Sequence, residues 1–194
     1  MPELTAVPQT DHSDAPTTAE EVGPEAAREA WAEAGRAVLL DVAKRYQAVI
    51  SHKQLAQEVQ ERTGITTTRL VHYWIGDVLG PIATECASRE EPLLVSLCVN
   101  AQDSVGAAYA NAVQAARGET PEDPEAHAAK ERLACYRHFE AEDLPADGGR
   151  AALTPRVAAT RDRARKVRFA ERPIAVCPTC HQAPAATGVC DNCD

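Results

Sequence analysis

Four cysteines near the C-terminal end have the spacing of a metal site. They form two C-x2-C pairs separated by nine residues, and they are Cys177, Cys180, Cys190 and Cys193. Each pair can place two thiolates on one side of a tight turn, and two such turns close a tetrahedral site for Zn2+. Since sulfur takes all four positions, none remains open for catalysis. The sequence therefore predicts one structural zinc ion.

Two other chemistries also use paired cysteines. A redox dithiol usually lies near a βαβ pattern, which this sequence lacks. An iron–sulfur cluster remains a minor alternative. His181 adjoins a ligand but is surplus to the set, and we interpret it as an exposed residue or a weak secondary donor. The spacer 181–189 is long enough for a small hairpin.

The segment 172–194, which contains these cysteines, resembles the zinc ribbons that terminate many bacterial and phage proteins. The resemblance implies a module that folds only with its metal bound, because its apolar content is small. It says nothing about activity.

Three further cysteines stand apart from this cluster. Cys86 and Cys98 fall on apolar faces, and we interpret both as small buried hydrophobic residues. Cys135 has two arginines and a histidine close by in sequence, which leaves a reactive thiol open as an alternative.

A basic segment precedes the zinc module. Only Asp162 and Glu171 oppose its charge. The positive residues of 150–172 are Arg150, Arg156, Arg161, Arg163, Arg165, Lys166, Arg168 and Arg172. Three of these arginines, at positions 161, 165 and 168, share one helical face, which could lie along a phosphate backbone. The alternative is a solvated helix that pairs with acidic residues of the same protein.

The elements upstream are mainly helical in pattern. Apolar residues at spacings of three and four predict a helix over 26–49. A capping box of Ser51 and Gln54, flanked by Ile50 and Leu55 as a hydrophobic staple, predicts a second helix over 52–63 that stops at Gly64.

A third helical pattern starts near Thr68 and is expected to break or kink at Gly80-Pro81 before continuing to about Ser88. The run 93–99 is apolar and β-prone, so it predicts a buried strand, followed by a turn at 100–103. Further helices are expected over 107–117 and 124–139, with a linker over 144–154.

The order of elements over 50–106 resembles a winged helix-turn-helix. The sequence Ile50-Ser51-His52-Lys53-Gln54-Leu55-Ala56 is similar to the helix entry in the DNA-binding domain of alkyltransferase-like proteins. The family's Pro-Cys-His-Arg motif is absent, and residues 92–95 (Pro-Leu-Leu-Val) take the comparable place, so alkyl transfer is not supported.

The resemblance implies a recognition helix over 68–79 that presents Arg69 and His72 to a groove, with residues 100–105 as the wing. Few basic residues lie near this face. A helix-turn-helix that contacts protein therefore remains an alternative.

Charge divides the chain unevenly. Residues 1–149 carry 12 Lys or Arg and 25 Asp or Glu, whereas residues 150–194 carry 8 and 4. This balance argues against nonspecific nucleic-acid binding by the whole surface and allows a local basic contact. We find no apolar run long enough for a transmembrane helix and no signal-peptide pattern, so we expect a cytoplasmic protein. The Ala- and Arg-rich composition is typical of a high-GC bacterial or phage source.

Together these features predict a mainly α protein with a small winged-helix-like β element and a C-terminal zinc ribbon. We expect a disordered acidic tail (1–25), a helical domain (26–141), a linker and basic helix (142–172) and the ribbon (173–194).

No Gly-rich phosphate loop, His-Glu-x-x-His or Gly-x-Ser-x-Gly motif occurs. No small-molecule substrate is evident either. The sequence therefore favours a non-enzymatic, nucleic-acid-binding regulatory or accessory protein, with DNA ahead of RNA. The alternatives are an adaptor that docks on a polymerase, ribosome or nuclease, and a nuclease-associated specificity subunit.

Overall fold

The computed structural model describes residues 16–171 and eight residues beyond them: Val176, Cys177, Thr179, Cys180, His181, Cys190, Asn192 and Cys193. Residues 1–15 of the expected disordered tail (1–25) and the hairpin expected within 181–189 lie outside the described residues, apart from His181 itself. The rest of that tail is ordered, because residues 17–25 form a short strand, a capped helical turn and the start of the next helix. The chain divides into two compact units, Met1–Thr154 and Pro155–Asp194.

The first unit is mainly helical, as the periodicity of the sequence predicts. Its helices are α1 (Ala19–Val22), α2 (Pro24–Ala43), α3 (His52–Thr63), α4 (Ile75–Ser88), α5 (Gly106–Arg117) and α6 (Pro124–His138). Its strands are β1 (Thr17–Thr18), β2 (Ile50–Ser51), β3 (Ile65–Thr66) and β4 (Cys98–Val99). Among the described residues the strands form two parallel pairs, β1 with β3 and β2 with β4.

The capping box places α3 where the sequence predicts it. The Ser51 hydroxyl accepts a hydrogen bond from the Gln54 backbone N–H at 3.2 Å, and the Gln54 side chain accepts one from the Ser51 N–H at 3.1 Å. Gly64 ends the helix in the left-handed conformation. Leu55 is fully buried and Ile50 nearly so, which confirms both as apolar anchors of this helix start.

Helix α2 is shorter than the predicted helix 26–49, because the chain turns after Ala43. Gln47 has a positive φ of 63°, which is incompatible with a continuing α-helix. The turn places the Tyr46 hydroxyl where it accepts a hydrogen bond from the Arg150 backbone N–H at 3.1 Å. Residues 44–49 are therefore a connection between α2 and β2.

The predicted third helix is wrong at both its start and its break. Residues 71–73 form a 3-10 turn, α4 begins only at Ile75, and the helix runs through Pro81 to Ser88. Gly80 has no Cβ, so the steric clash that normally drives the residue before a proline out of the helical region is reduced. Burial of Leu79 and Ile82 on either side stabilises the continuous helix.

The predicted strand 93–99 is observed only at its end. Residues 94–97 form a 3-10 turn, and β4 covers Cys98 and Val99 alone. All these side chains are buried, so an apolar run of this length does not distinguish a strand from a turn in the core. The turn after β4 is as expected, with the Asp103 N–H donating to the Asn100 carbonyl at 3.0 Å.

Residues 144–154, expected as a linker, are bonded to the helical unit. The Thr154 hydroxyl donates to the Asp103 carbonyl at 2.7 Å. The buried Arg132 guanidinium on α6 donates to the Ala152 carbonyl at 3.3 Å and to the Ser96 carbonyl at 3.2 Å. The first unit therefore extends to Thr154. The second unit begins at the next residue with helix α7 (Pro155–Ala170).

The core of the first unit lies among α2 to α6. Trp31 of α2 and Trp74, which precedes α4, are both buried with ring centroids 4.5 Å apart. Their indole N–H groups donate to the Ile65 and Arg69 carbonyls. In the part of the chain that is described, no helix is both long and apolar enough to cross a bilayer.

Candidate metal centre and basic helix

The four C-terminal cysteines are positioned to bind a metal ion. All four Sγ atoms lie within 4.8 Å of one another. Cys177 and Cys193 are 3.8 Å apart between sulfurs, and Cys180 and Cys190 are 3.4 Å apart. Tetrahedral coordination with a metal–sulfur distance of about 2.3 Å places thiolates about 3.8 Å apart. The spacing therefore suits a four-coordinate ion with sulfur ligands.

Each cysteine pair is held by a tight backbone turn. The His181 N–H donates to the Cys177 carbonyl at 2.9 Å, and the Cys193 N–H donates to the Cys190 carbonyl at 3.2 Å. His181 itself is exposed and has a φ of 57°. It closes the first turn through its backbone and is not a member of the four-residue cluster.

The local dipoles favour thiolate at one end of the cluster. Hydrogen bonds from the backbone N–H groups of Cys180 and Thr179 lower the pKa of Cys177 to about 6. Hydrogen bonding with Cys180 raises the pKa of Cys193 to about 11. Four adjacent thiolates repel one another, so a bound cation is what would allow all four to lose their protons.

Helix α7 carries the predicted basic face. It has 16 residues, of which six are positively charged and only Asp162 is negative. Every side chain from Ala159 to Phe169 is exposed. The ion pair between Arg165 and Asp162, at 3.2 Å, joins side chains that are 79% and 63% exposed, and such a pair contributes little stability.

The structure places the predicted basic residues Arg156, Arg161, Arg163, Arg165, Lys166 and Arg168 on this one helix. Their spacing puts the arginines at 161, 165 and 168 on one face. Arg172 lies outside the described residues.

The other predicted nucleic-acid contacts, Arg69 and His72, lie in the first unit. Neither lies on the α-helix expected over 68–79: Arg69 precedes the 3-10 turn 71–73 and His72 lies in it, and both are exposed. The Trp74 indole N–H donates a hydrogen bond to the Arg69 carbonyl at 3.3 Å. The centroids of the His72 and Tyr73 rings lie 4.1 Å apart. Leu70, between Arg69 and His72 in sequence, is 62% exposed, and the helical pattern of the sequence does not predict this exposure.

The remaining cysteines are buried, as predicted for Cys86 and Cys98, and Cys135 is buried as well. Burial raises the pKa of the Cys86, Cys98 and Cys135 thiols. A buried thiol with a raised pKa is a poor nucleophile, which removes the alternative of a reactive Cys135.

No family model matches this sequence, and no curated protein or solved structure is similar enough to count as a relative. The metal centre and the basic helix therefore carry the functional argument on their own.

Proposed function

We propose that this chain is a non-enzymatic nucleic-acid-binding protein, with DNA favoured over RNA, that acts in a regulatory or accessory role. The single observation that carries the proposal is the charge of α7, with six cations against one carboxylate on an exposed helix. Cationic side chains along a helix can neutralise successive phosphates and release their counterions.

The side chains of α7 are unsuited to a core. Val167 and Phe169 are its large apolar residues near the C-terminal end, and they are 52% and 77% exposed. A helix without an extended apolar face gains little from burial, so charge is its main means of recognition. We propose that Arg161, Arg165 and Arg168 contact phosphates, together with the flanking basic residues Arg156, Arg163, Lys166 and Arg172.

The ion in the cysteine cluster is, in this proposal, one structural Zn2+. Four thiolates at tetrahedral spacing are a set that zinc prefers. When bound, zinc would cross-link a segment with few apolar residues and so brace the chain that follows α7. A thiolate site of this kind is consistent with a reducing compartment, and we propose a cytoplasmic location.

The first unit contributes a second contact in this proposal. Helices α3 and α4 and the connection between them are interpreted as a winged-helix-like module, with Arg69 and His72 facing the nucleic acid. Asp77, the nearest acidic residue of α4, pairs with Arg28 at 3.1 Å, which reduces its repulsion of phosphate. The resemblance in sequence at residues 50–56 supports the same interpretation.

Fluorescence anisotropy with labelled duplex and single-stranded probes at low salt tests the proposal. We expect the full chain to bind and the triple variant Arg161→Ala, Arg165→Ala, Arg168→Ala to bind at least about tenfold more weakly. The matched control removes three exposed cations of the first unit: Arg45→Ala, Arg89→Ala and Lys130→Ala. The proposal fails if neither probe binds, or if both triple variants lose the same amount of binding affinity.

A further inference from the structure

A groove of about 700 Å3 lies between α2 and α4. Its floor is apolar, with Ala32, Leu40, Pro81 and Ile82 among the lining residues. Its two walls differ in charge, and this difference indicates what kind of partner the groove fits.

The wall formed by α4 is electrically balanced. Asp77 pairs with Arg28 at 3.1 Å, and Glu85 pairs with Arg36 at 3.2 Å and with Arg89 at 2.7 Å. These acidic side chains are therefore already neutralised by neighbours from the same unit.

The wall formed by α2 supplies Arg28 and Arg36 to those pairs and carries three further carboxylates. Glu25, Glu29 and Glu33 follow one another at intervals of four residues, and all three are exposed. None of these carboxylates has an ion pair or a side-chain hydrogen bond among the residues that the structure describes. At 1.5 Å per residue, they form an acidic ridge with steps of about 6 Å beside the apolar floor.

We propose that this groove binds helix α7 of a second copy of the chain. The arginines at positions 161, 165 and 168 of α7 have steps of about 6 and 4.5 Å, so the first step equals that of the acidic ridge and the second is about 1.5 Å shorter. Phe169, which is 77% exposed, lies beside this arginine face and can cover part of the apolar floor, whereas Val167 lies on the other side of the helix.

A second copy of the chain is the occupant that the charges of the two surfaces support. One chain carries both complementary surfaces, and reciprocal exchange of α7 between two copies closes a twofold dimer. Since the same arginines face phosphate in the proposed function, dimerisation and nucleic-acid binding would compete.

Analytical ultracentrifugation of the full chain, freed of nucleic acid, tests this interface. We expect a reversible dimer at 50 mM salt whose dissociation constant rises at least about tenfold at 500 mM salt, because exposed charge pairs are screened. The variant Glu25→Gln, Glu29→Gln, Glu33→Gln should be monomeric. The matched control Glu61→Gln, Glu119→Gln, Glu122→Gln removes the same charge from exposed positions elsewhere and should still dimerise.

Exchanging the charges of the acidic ridge and of α7 tests whether these two surfaces are the ones in contact. One variant carries Glu25→Arg, Glu29→Arg and Glu33→Arg, and the other carries Arg161→Glu, Arg165→Glu and Arg168→Glu. Each alone should be monomeric, since its groove and helix repel, whereas their mixture should form a heterodimer in which both interfaces are attractive. A monomeric wild-type chain, or a mixture that stays monomeric, overturns the inference. Neither result depends on nucleic-acid binding, so the proposed function is tested separately.

Discussion

The four thiols act as a unit, because a tetrahedral ion needs every one of them. Replacing Cys190 by Ser substitutes a neutral hydroxyl for a thiolate, and we expect zinc affinity to fall by more than about 100-fold. Metal content by mass spectrometry and competition with a coloured chelator measure this change. The wild-type chain should hold about one zinc ion.

His181 provides the matched control for this substitution. Its side chain is exposed, and only its backbone N–H contributes, through the bond to the Cys177 carbonyl. Asn tolerates the left-handed conformation of this position, so His181→Asn should keep its zinc. Equal loss of metal from both variants would contradict a site made of four cysteines.

His52 links the stability of the first unit to pH. Burial lowers its pKa from the ordinary value of 6.5, and its Nε2 has no hydrogen-bond partner among the described residues. The unfolded chain therefore binds a proton more readily than the folded one, so stability is lost as pH falls below about 6.5. Its position at the start of α3 adds to this effect, because a helix N-terminus disfavours a cation.

The variant His52→Gln should lose less stability between pH 7 and pH 5 than the wild-type chain. Urea unfolding followed by tryptophan fluorescence measures this loss of stability, since both tryptophans lie in the first unit. The exposed His138→Gln serves as the control and should leave the pH dependence unchanged. Identical pH dependence in all three proteins would rule out the role given to His52.

At the scale of elements, the contact between α2 and α4 depends on one small residue. A Cβ on Gly35 would lie 3.2 Å from the Ile82 Cδ1 atom and 3.3 Å from the Val78 Cγ1 atom. We therefore expect Gly35→Leu to lower the free energy of unfolding by about 1–3 kcal/mol through overpacking.

Gly76 on α4 is the control for this change. A Cβ there has no neighbour within 4 Å, and Gly76→Ala should raise stability by about 0.5 kcal/mol through helix propensity. Urea unfolding of both variants measures whether the free energy of unfolding falls for Gly35→Leu and rises for Gly76→Ala. A Gly35→Leu protein as stable as the wild type would contradict close packing of these helices.

Local signals predicted some elements well and others badly. Helix α3 is placed by a capping box and a terminal glycine, which are properties of residues adjacent in sequence. The cysteine cluster is predictable for the same reason, since ligand type and spacing fix its geometry. The start and continuity of α4 depend instead on burial of Trp74, Leu79 and Ile82 by distant elements, which periodicity does not reveal.

At the scale of the whole molecule, the two units should respond separately to metal removal. The cysteine cluster lies in the second unit, whereas Trp31 and Trp74 lie in the core of the first. A strong chelator should therefore leave the thermal transition seen by tryptophan fluorescence unchanged. A large downward shift of this transition on chelation would show that the first unit depends on the metal.

The central claim, that α7 binds phosphates, is tested most directly by the salt dependence of duplex binding. The slope of log K against log salt counts the phosphates that are neutralised, at about 0.9 per contact. We expect the variant Arg161→Ala, Arg165→Ala, Arg168→Ala to have a slope shallower by about 2–3 than the wild type, and the variant Arg45→Ala, Arg89→Ala, Lys130→Ala to keep the wild-type slope. Equal slopes for the wild type and the α7 variant would contradict the claim.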